Sequence, residues 1–449
     1  MVQNNININN KIDNWPSPIA AWYAVIILVI AYTFSFADRM ILSLLIEPIK
    51  KDFSLSDTEI SLLHGLAFAI FYTLMGIPIG RLVDTSSRRG IIAAGICIWS
   101  AMTVFCGLAR GFWELFLARV GVGIGEAALS PAAYSLITDI FEPNKLSRAL
   151  AVYSAGAFIG AGLAFIIGGA VISIVVSTPV TTLPIIGEIK SWQLSFMIIG
   201  FPGLLVAGLM YTIKEPVRRY MEKNTNSLIE SNSEEVSLKD VVKYFRINWH
   251  AYIPHFFGFA FLSLQFNGLL AWLPTHLFRS FDVSPGYSGP LIGLSLLVFG
   301  TAGIITGGWL SDWMFSKGHK DATLKTGIIA GILVAPLTCV VPLLNSINII
   351  YILLAPLMFF TTFSFGAAAA ALQLITPNRM RGVISALYLF CLNLIGLGFG
   401  PTAVALVTDY YFKLESAVGK SISLVTTSSS LLGVFILYLG LNAFKKRVF

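Results

Sequence analysis

Four ionisable side chains interrupt stretches of the chain that are otherwise apolar: Asp38 and Arg39, adjacent to one another, and Arg119 and Glu126, seven positions apart. An ionised side chain at the centre of a bilayer costs at least about 2.5–3.5 kcal/mol, so each needs a partner or a role. In the run Ala118-Arg-Val-Gly-Val-Gly-Ile-Gly-Glu-Ala127, a helix brings Glu126 to within about 20° of the Arg119 face, about 10 Å further along the axis. Gly121, Gly123 and Gly125 leave room beside them for another helix or a ligand. Burial and a neighbouring arginine act in opposite senses on a carboxyl's hold on its proton, so a pair that opens and closes can take up and release one. The alternative is a purely structural pair that locks two helices together. Depth along the two helices, about 27 Å from the start of one and about 12 Å from the start of its antiparallel neighbour, places Asp38 level with Arg119. The expectation is an Asp38–Arg119 ion pair on the outer side of a cavity, with Glu126 deeper and Arg39 beside them.

The elements that must position these residues follow from composition. Of 449 residues, 56% are hydrophobic and 12% are charged, against about 25% charged in soluble chains. The solvent for most of this chain is therefore lipid, where every backbone amide needs an internal partner. Barrel strands alternate apolar and polar residues over about ten positions. The apolar runs here are continuous and about twice that length, so they are helices. Counting them, with 326–378 broken near Pro342–Asn348 and with 111–138 included despite Arg119 and Glu126, yields twelve spans. An even number returns both termini to one side. Of the 30 Lys and Arg, seven fall in loops on the opposite side and 21 on the side of the termini, which marks the terminal side as cytoplasmic.

The expected organisation is an all-α membrane protein with a cytoplasmic tail 1–19, a six-helix bundle 20–213, a charged, Asn- and Ser-rich linker 214–248, a second six-helix bundle 249–444 and a short tail 445–449. Within the linker, Val236–Phe245 reads as a short interfacial helix. Residues 1–19 are polar and the first apolar run is too long for a signal-peptide core. The net charge of +7 resides in short loops, which argues against nucleic-acid binding. Cys97, Cys106, Cys339 and Cys391 lie inside apolar runs without metal or disulfide spacing. No metal cluster, phosphate loop or nucleophile elbow stands out, so no enzyme activity and no cofactor are expected, with the proton as coupling ion.

A repeat supports two equivalent halves. Gly80-Arg-Leu-Val-Asp84, followed by Ser87-Arg88-Arg89, ends the second span; Gly308-Trp-Leu-Ser-Asp312, followed by Lys317, ends the eighth, 228 positions later. Glycine would let the helix end pack tightly and the aspartate would cap a helix or pair with basic groups across the halves. This pattern resembles the signature of the major facilitator superfamily, Gly-x-Leu-x-Asp-x-x-Gly-Arg-Arg, with Ser87 in place of the second glycine. The resemblance implies alternating access about a site near mid-membrane. Phe36-Ala-Asp-Arg-Met-Ile-Leu, Glu47-Pro-Ile-Lys50, Leu55-Ser-Asp57, Gly123-Ile-Gly-Glu-Ala127, Ser130-Pro-Ala-Ala-Tyr134, Asp139 and Ser147-Arg-Ala-Leu-Ala-Val-Tyr153 further resemble Spinster-like transporters. That likeness implies a lipid-like cargo of the lysophospholipid or sphingolipid type and proton-linked or gating roles for Asp38, Arg39, Arg119 and Glu126. Porters of sugar acids or other small organic anions, and drug exporters, are the alternative.

In the C-terminal half no Asp, Glu, Lys or Arg sits mid-helix, so coupling is expected in the N-terminal half alone. Tyr72, Gln265, Asn267, Gln373, Tyr388 and Asn393 are open to two roles, cavity lining or helix–helix hydrogen bonds. Phe34, Phe36, Trp272 and Phe390 are open to forming an apolar wall or to ordinary packing. His64 and His255 lack a partner that the sequence reveals. Gly156, Gly160 and Gly162, and Gly396, Gly398 and Gly400 with Pro401, read as packing seams where helices bend. A monomer in the plasma membrane, or in the inner membrane of a Gram-negative cell, is expected, with membrane lipids and a small or lipid substrate as its partners.

Overall fold

A computed structural model describes residues 15–176, 180–183, 187–218, 238–377 and 380–448. Among the described residues, twelve helices are long and apolar enough to cross a membrane: α1 Pro18–Leu44, α2 Asp57–Val83, α3 Arg88–Cys106, α4 Phe112–Ile140, α5 Arg148–Val175, α6 Ser191–Met210, α7 Val241–Phe281, α8 Pro285–Ser316, α9 Ala322–Leu343, α10 Ile347–Leu372, α11 Val383–Phe412 and α12 Glu415–Lys445. Twelve crossings return the chain to its starting face, called here the terminal face; the other is the far face.

Helix starts follow capping chemistry. Ser17 accepts the Ala20 N–H with Pro18 in the first turn, and Ser56 with Glu59 forms a capping box at the start of α2. At the start of α3 the Ser87 hydroxyl accepts the Gly90 N–H at 3.2 Å, so the residue that departs from the signature glycine serves as an N-cap.

Two findings differ from the sequence reading. Residues 236 and 237 of the expected interfacial helix lie outside the described residues, and from Leu238 the segment belongs to one long helix that continues to Phe281 with Pro254 and Pro274 inside it; between Leu238 and Pro254 no glycine or proline separates the segment from α7. The only strands among the described residues form a hairpin between α5 and α6, Val180–Leu183 against Gly187–Lys190.

The halves meet through backbone-to-backbone seams near the far face. A Cβ on Gly65 of α2 would lie 2.8 Å from the Leu397 carbonyl of α11, and one on Gly162 of α5 would lie 2.8 Å from the Gly293 carbonyl of α8. Only glycine permits that approach. Gly76 lies eleven residues beyond Gly65 and about 20° from it around the helix. Nothing lies within 4 Å of a Cβ built there. The face of α2 that is sealed against α11 near the far face is thus open toward the terminal face, and a cleft between the halves widens in that direction.

Candidate functional site

The four charges converge in the N-terminal half, but not in the expected pairing. Arg39 Nη2 lies 2.5 Å from Glu126 Oε2. Arg39 Nε donates to the same oxygen at 2.6 Å, and Ser35 Oγ donates to it at 2.5 Å. Arg119 makes no ion pair with Asp38: its Nη1 donates to the Asp38 backbone carbonyl at 2.9 Å, and its Nε to the Leu63 carbonyl at 3.4 Å. The expected Asp38–Arg119 pair is corrected to Arg39–Glu126. The reason is helical phase. Asp38 and Arg39 are adjacent, so their side chains diverge by about 100°; Arg39 takes the cleft side of α1 and the Asp38 carboxyl turns into the bundle toward Thr103 of α3.

Local structure supports each contact. α4 is two helical segments, Phe112–Glu126 and Leu129–Ile140, so Glu126 ends the first segment, where the helix dipole disfavours an anion; Arg39 and Ser35 offset that cost. α2 contains a π-helical turn, Leu62–Leu66, in which the Ala67 N–H bonds Leu62 O. The Leu63 carbonyl is thereby available to Arg119. Gly123 and Gly125 admit the backbones of Phe68 and Trp99, so the room they leave is filled by α2 and α3. Asp38, Arg119 and Glu126 are buried; the Arg39 side chain keeps 12% of its surface exposed. Its Cζ lies 5.0, 4.6 and 5.0 Å from the ring centroids of Phe36, Phe68 and Tyr72, a cage that favours a cation.

The cavity candidates divide. Tyr72 belongs to that cage. Phe34 packs partly buried against the main core. Gln265 Nε2 donates to Thr361 of α10 at 3.3 Å and the Trp272 indole donates to Pro401 O at 2.9 Å; both are buried helix–helix bonds. Asn267 Nδ2 bonds Ser263 O of its own helix at 2.9 Å. Tyr388 is buried against His255, 4.9 Å between rings. Asn393 lies partly buried in a π-helical stretch of α11, Leu392–Gly398. The Gln373 and Asp84 side chains lie outside the described residues. His64 and His255 do have partners, Ser43 at 2.7 Å and Ala368 O at 2.9 Å. Aromatic rings bridge the halves, with Phe158 of α5 5.8 Å and Phe266 of α7 5.2 Å from Phe365 of α10.

At the terminal face, Gly80 and Gly308 do not pack tightly as expected: nothing lies within 4 Å of a Cβ on either, because the cleft is open at that end. Asp312 is exposed. Arg88 is fully buried and pairs with Asp139 and with Glu215 at 3.0 Å. Arg89 donates to Ile213 O at 2.9 Å. Burial pushes the Glu215 proton affinity up, but hydrogen bonds from the Arg89 N–H, the Arg88 side chain and the Ser87 hydroxyl, with the Arg88 charge, outweigh it and hold the carboxyl below its ordinary range. Sequence reading missed Glu215, which lay in the supposed linker.

At the far face, a network that sequence reading counted only as loop charge joins the halves. Arg279 of α7 grips Asp57 of α2 through both terminal nitrogens at 2.7 Å and donates through Nε to Glu47 at 2.6 Å. Lys50 bridges Asp57 at 2.5 Å and Glu415 at 2.8 Å. Thr58 bonds Asp409 through N and Oγ1, each at 2.7 Å. Among the described residues, every ion pair between the halves lies at this face.

The model of the Major Facilitator Superfamily matches residues 28–401. The chain belongs to the Major Facilitator Superfamily. It is thus a secondary transporter and an integral membrane protein, not an enzyme. Its superfamily relatives include an MFS-type efflux pump of Mycolicibacterium smegmatis, 26% identical over 443 residues that cover 96% of this chain and 95% of the pump. A probable L-galactonate transporter of Escherichia coli is 24% identical over 430 residues, covering 93% and 90%. The fold matches the crystal structure of a bacterial homolog to the human lysosomal transporter Spinster in an inward-facing, unoccupied conformation, with TM-score 0.76 and 25% identity, covering 96% of this chain and 98% of that one. Superfamily transporters alternate access by rocking one half against the other; here the far-face network and the glycine seams join the two halves.

Proposed function

We propose that this transporter is proton-coupled and moves an amphipathic, lipid-like organic anion of the lysophospholipid or sphingolipid type, with the terminal face in the cytoplasm and the chain acting as a monomer in the plasma membrane or bacterial inner membrane. One observation carries the reading: the partly exposed guanidinium of Arg39 is occupied by Glu126. An anionic headgroup entering the cleft competes with Glu126 for Arg39. Protonation of Glu126 neutralises the competitor and releases the cation, so proton and anion load together. Arg119 holds α1 and α2 by their backbones and supplies the field around Asp38. The apolar bridge of Phe158, Phe266 and Phe365 suits a hydrocarbon tail, opposite the charged half. Gly80, Asp84, Arg88, Arg89, Gly308 and Asp312 form the terminal-face gate, closing when the cleft closes there.

Transport in proteoliposomes tests this reading. A lysophospholipid should accumulate in response to an imposed pH gradient, and Asp38→Asn and Glu126→Gln should each abolish the accumulation. Full transport with an unchanged pH profile in both variants would defeat it. The second reading, a small sugar acid, is favoured by the likeness to the probable L-galactonate transporter; galactonate accumulation without lysolipid transport would select it.

A further inference from the structure

Of the buried polar atoms in the N-terminal half that have no hydrogen-bond partner among the described residues, four gather around Arg119: Asp38 Oδ1 on α1, His64 Nδ1 on α2, and Arg119 Nη2 and Glu126 Oε1 on α4. They are neighbours. Arg119 touches the Asp38 backbone and the carbonyl of Leu63, the residue before His64. Asp38 faces Thr103, and the charge of Arg119 reaches His64 and Cys106. An unpartnered polar group in a membrane interior costs several kcal/mol. Three helices would not direct four such atoms into the same interior unless something satisfied them, and water is the ligand with donors and acceptors for all four.

One edge of this cluster leads toward the far face. His64 Nε2 lies 2.7 Å from Ser43 Oγ, and both residues are buried. Ser43 is the last residue but one of α1, and Asp38 lies about 7.5 Å below it along the helix axis. An imidazole bonded on one nitrogen and free on the other can accept a proton on one side and donate from the other. The charged group that acts on it is Arg119, which also acts on Asp38 and Cys106.

We propose that His64 and Ser43 are the far-face station of a water-filled proton path through the interior of the N-terminal bundle, by which Asp38 exchanges protons without using the substrate cleft. Proton passage requires no net chemistry: one proton arrives at one imidazole nitrogen, another leaves from the second, and the ring rotates or exchanges through water to reset. This rests on the proton-coupled reading above. It adds a route, and makes His64 a relay residue separate from the Arg39–Glu126 switch.

The test is proton uptake by the full-length protein in detergent micelles after a rapid pH drop, followed with a soluble pH indicator. Glu126→Gln and Asp38→Asn should each lower the number of protons taken up. His64→Leu should leave that number unchanged but slow uptake at least about tenfold, the scale of a lost proton-transfer group, and added imidazole should restore the rate. Ser43→Ala, which removes only one oxygen, should slow uptake in the same sense and serves if His64→Leu does not fold. If the carboxylate variants lose protons while Ser43→Ala and every folded His64 variant keep the wild-type rate, the relay is wrong and the coupling reading stands. If the carboxylate variants take up as many protons as the wild type, the coupling reading fails and the relay falls with it. A slowed His64→Leu that imidazole does not restore also overturns the relay.

Discussion

Arg39 Nη2 lies 2.5 Å from Glu126 Oε2, in a pair that is buried on the carboxylate side and partly open on the arginine side. The carboxylate has exchanged water for Ser35 and Arg39, while the guanidinium keeps one edge toward the cleft. In the proposed mechanism, that asymmetry makes Arg39 the group a substrate anion meets first and Glu126 the group it displaces.

Glu126→Gln therefore separates binding from coupling. A hydrogen bond to a charged group is worth about 1.5–3 kcal/mol. Removing the competing charge should tighten binding of an anionic lysolipid by about ten- to a hundredfold while abolishing its accumulation against a gradient. Calorimetric titration and proteoliposome uptake on one preparation check both halves; unchanged affinity would show that Glu126 does not compete.

Asp57→Asn should unlock the far face. Asp57 answers both Arg279 and Lys50, and removing one partner of a buried ion pair costs about 3–5 kcal/mol. The population should shift toward a state open at that face. Spin labels at the exposed positions Lys51 and Lys413 should report longer distances in the variant; an unaltered distribution would mean that the glycine seams alone hold the face shut.

Gly65→Ala and Gly76→Ala sit on one face of α2 and should behave oppositely. A methyl at Gly65 meets the Leu397 carbonyl at 2.8 Å, an overpacking that costs about 1–3 kcal/mol. At Gly76 it meets nothing within 4 Å, and replacing a helical glycine by alanine favours the helix by up to about 1 kcal/mol. Thermal unfolding in detergent should be lowered by the first and held or raised by the second.

The terminal-face clamp around Glu215 should be lost at low pH. The folded state holds this carboxyl below its ordinary range, so its stabilisation is fully present above the unfolded pKa and disappears as pH falls through the folded one. Glu215→Gln should lower the melting temperature at neutral pH, and the gap from wild type should close as pH drops below the carboxylate range. A gap independent of pH would assign the effect to packing.

How much was legible in the sequence varied with the physics involved. Burial of Asp38, Arg119 and Glu126 in one bundle could be read because charges in apolar runs must find company, and helical periodicity put Arg119 and Glu126 on one side of α4. Their partners could not be read. Depth alone matched Asp38 to Arg119, whereas the rotation of α1 about its own axis sent Arg39 to the cleft and Asp38 inward. The repeat at Gly80 and Gly308 was visible as a pattern, but whether those glycines touch anything depends on which end of the cleft is open. Arg279 looked like an ordinary loop charge because its partners Asp57 and Glu47 are more than two hundred positions away, and Glu215 because it lies in a segment read as linker, well over a hundred positions from Arg88.

By itself the sequence determined the twelve apolar helices, their division into two halves and the placement of buried charge in the first half, since these follow from hydrophobic length and from the cost of ions in hydrocarbon. Only the tertiary structure decided which charge meets which, where the halves are sealed and where they part. Those outcomes depend on helix rotation and on ångström-scale backbone approach between segments far apart in the chain, and no local pattern of residues encodes them.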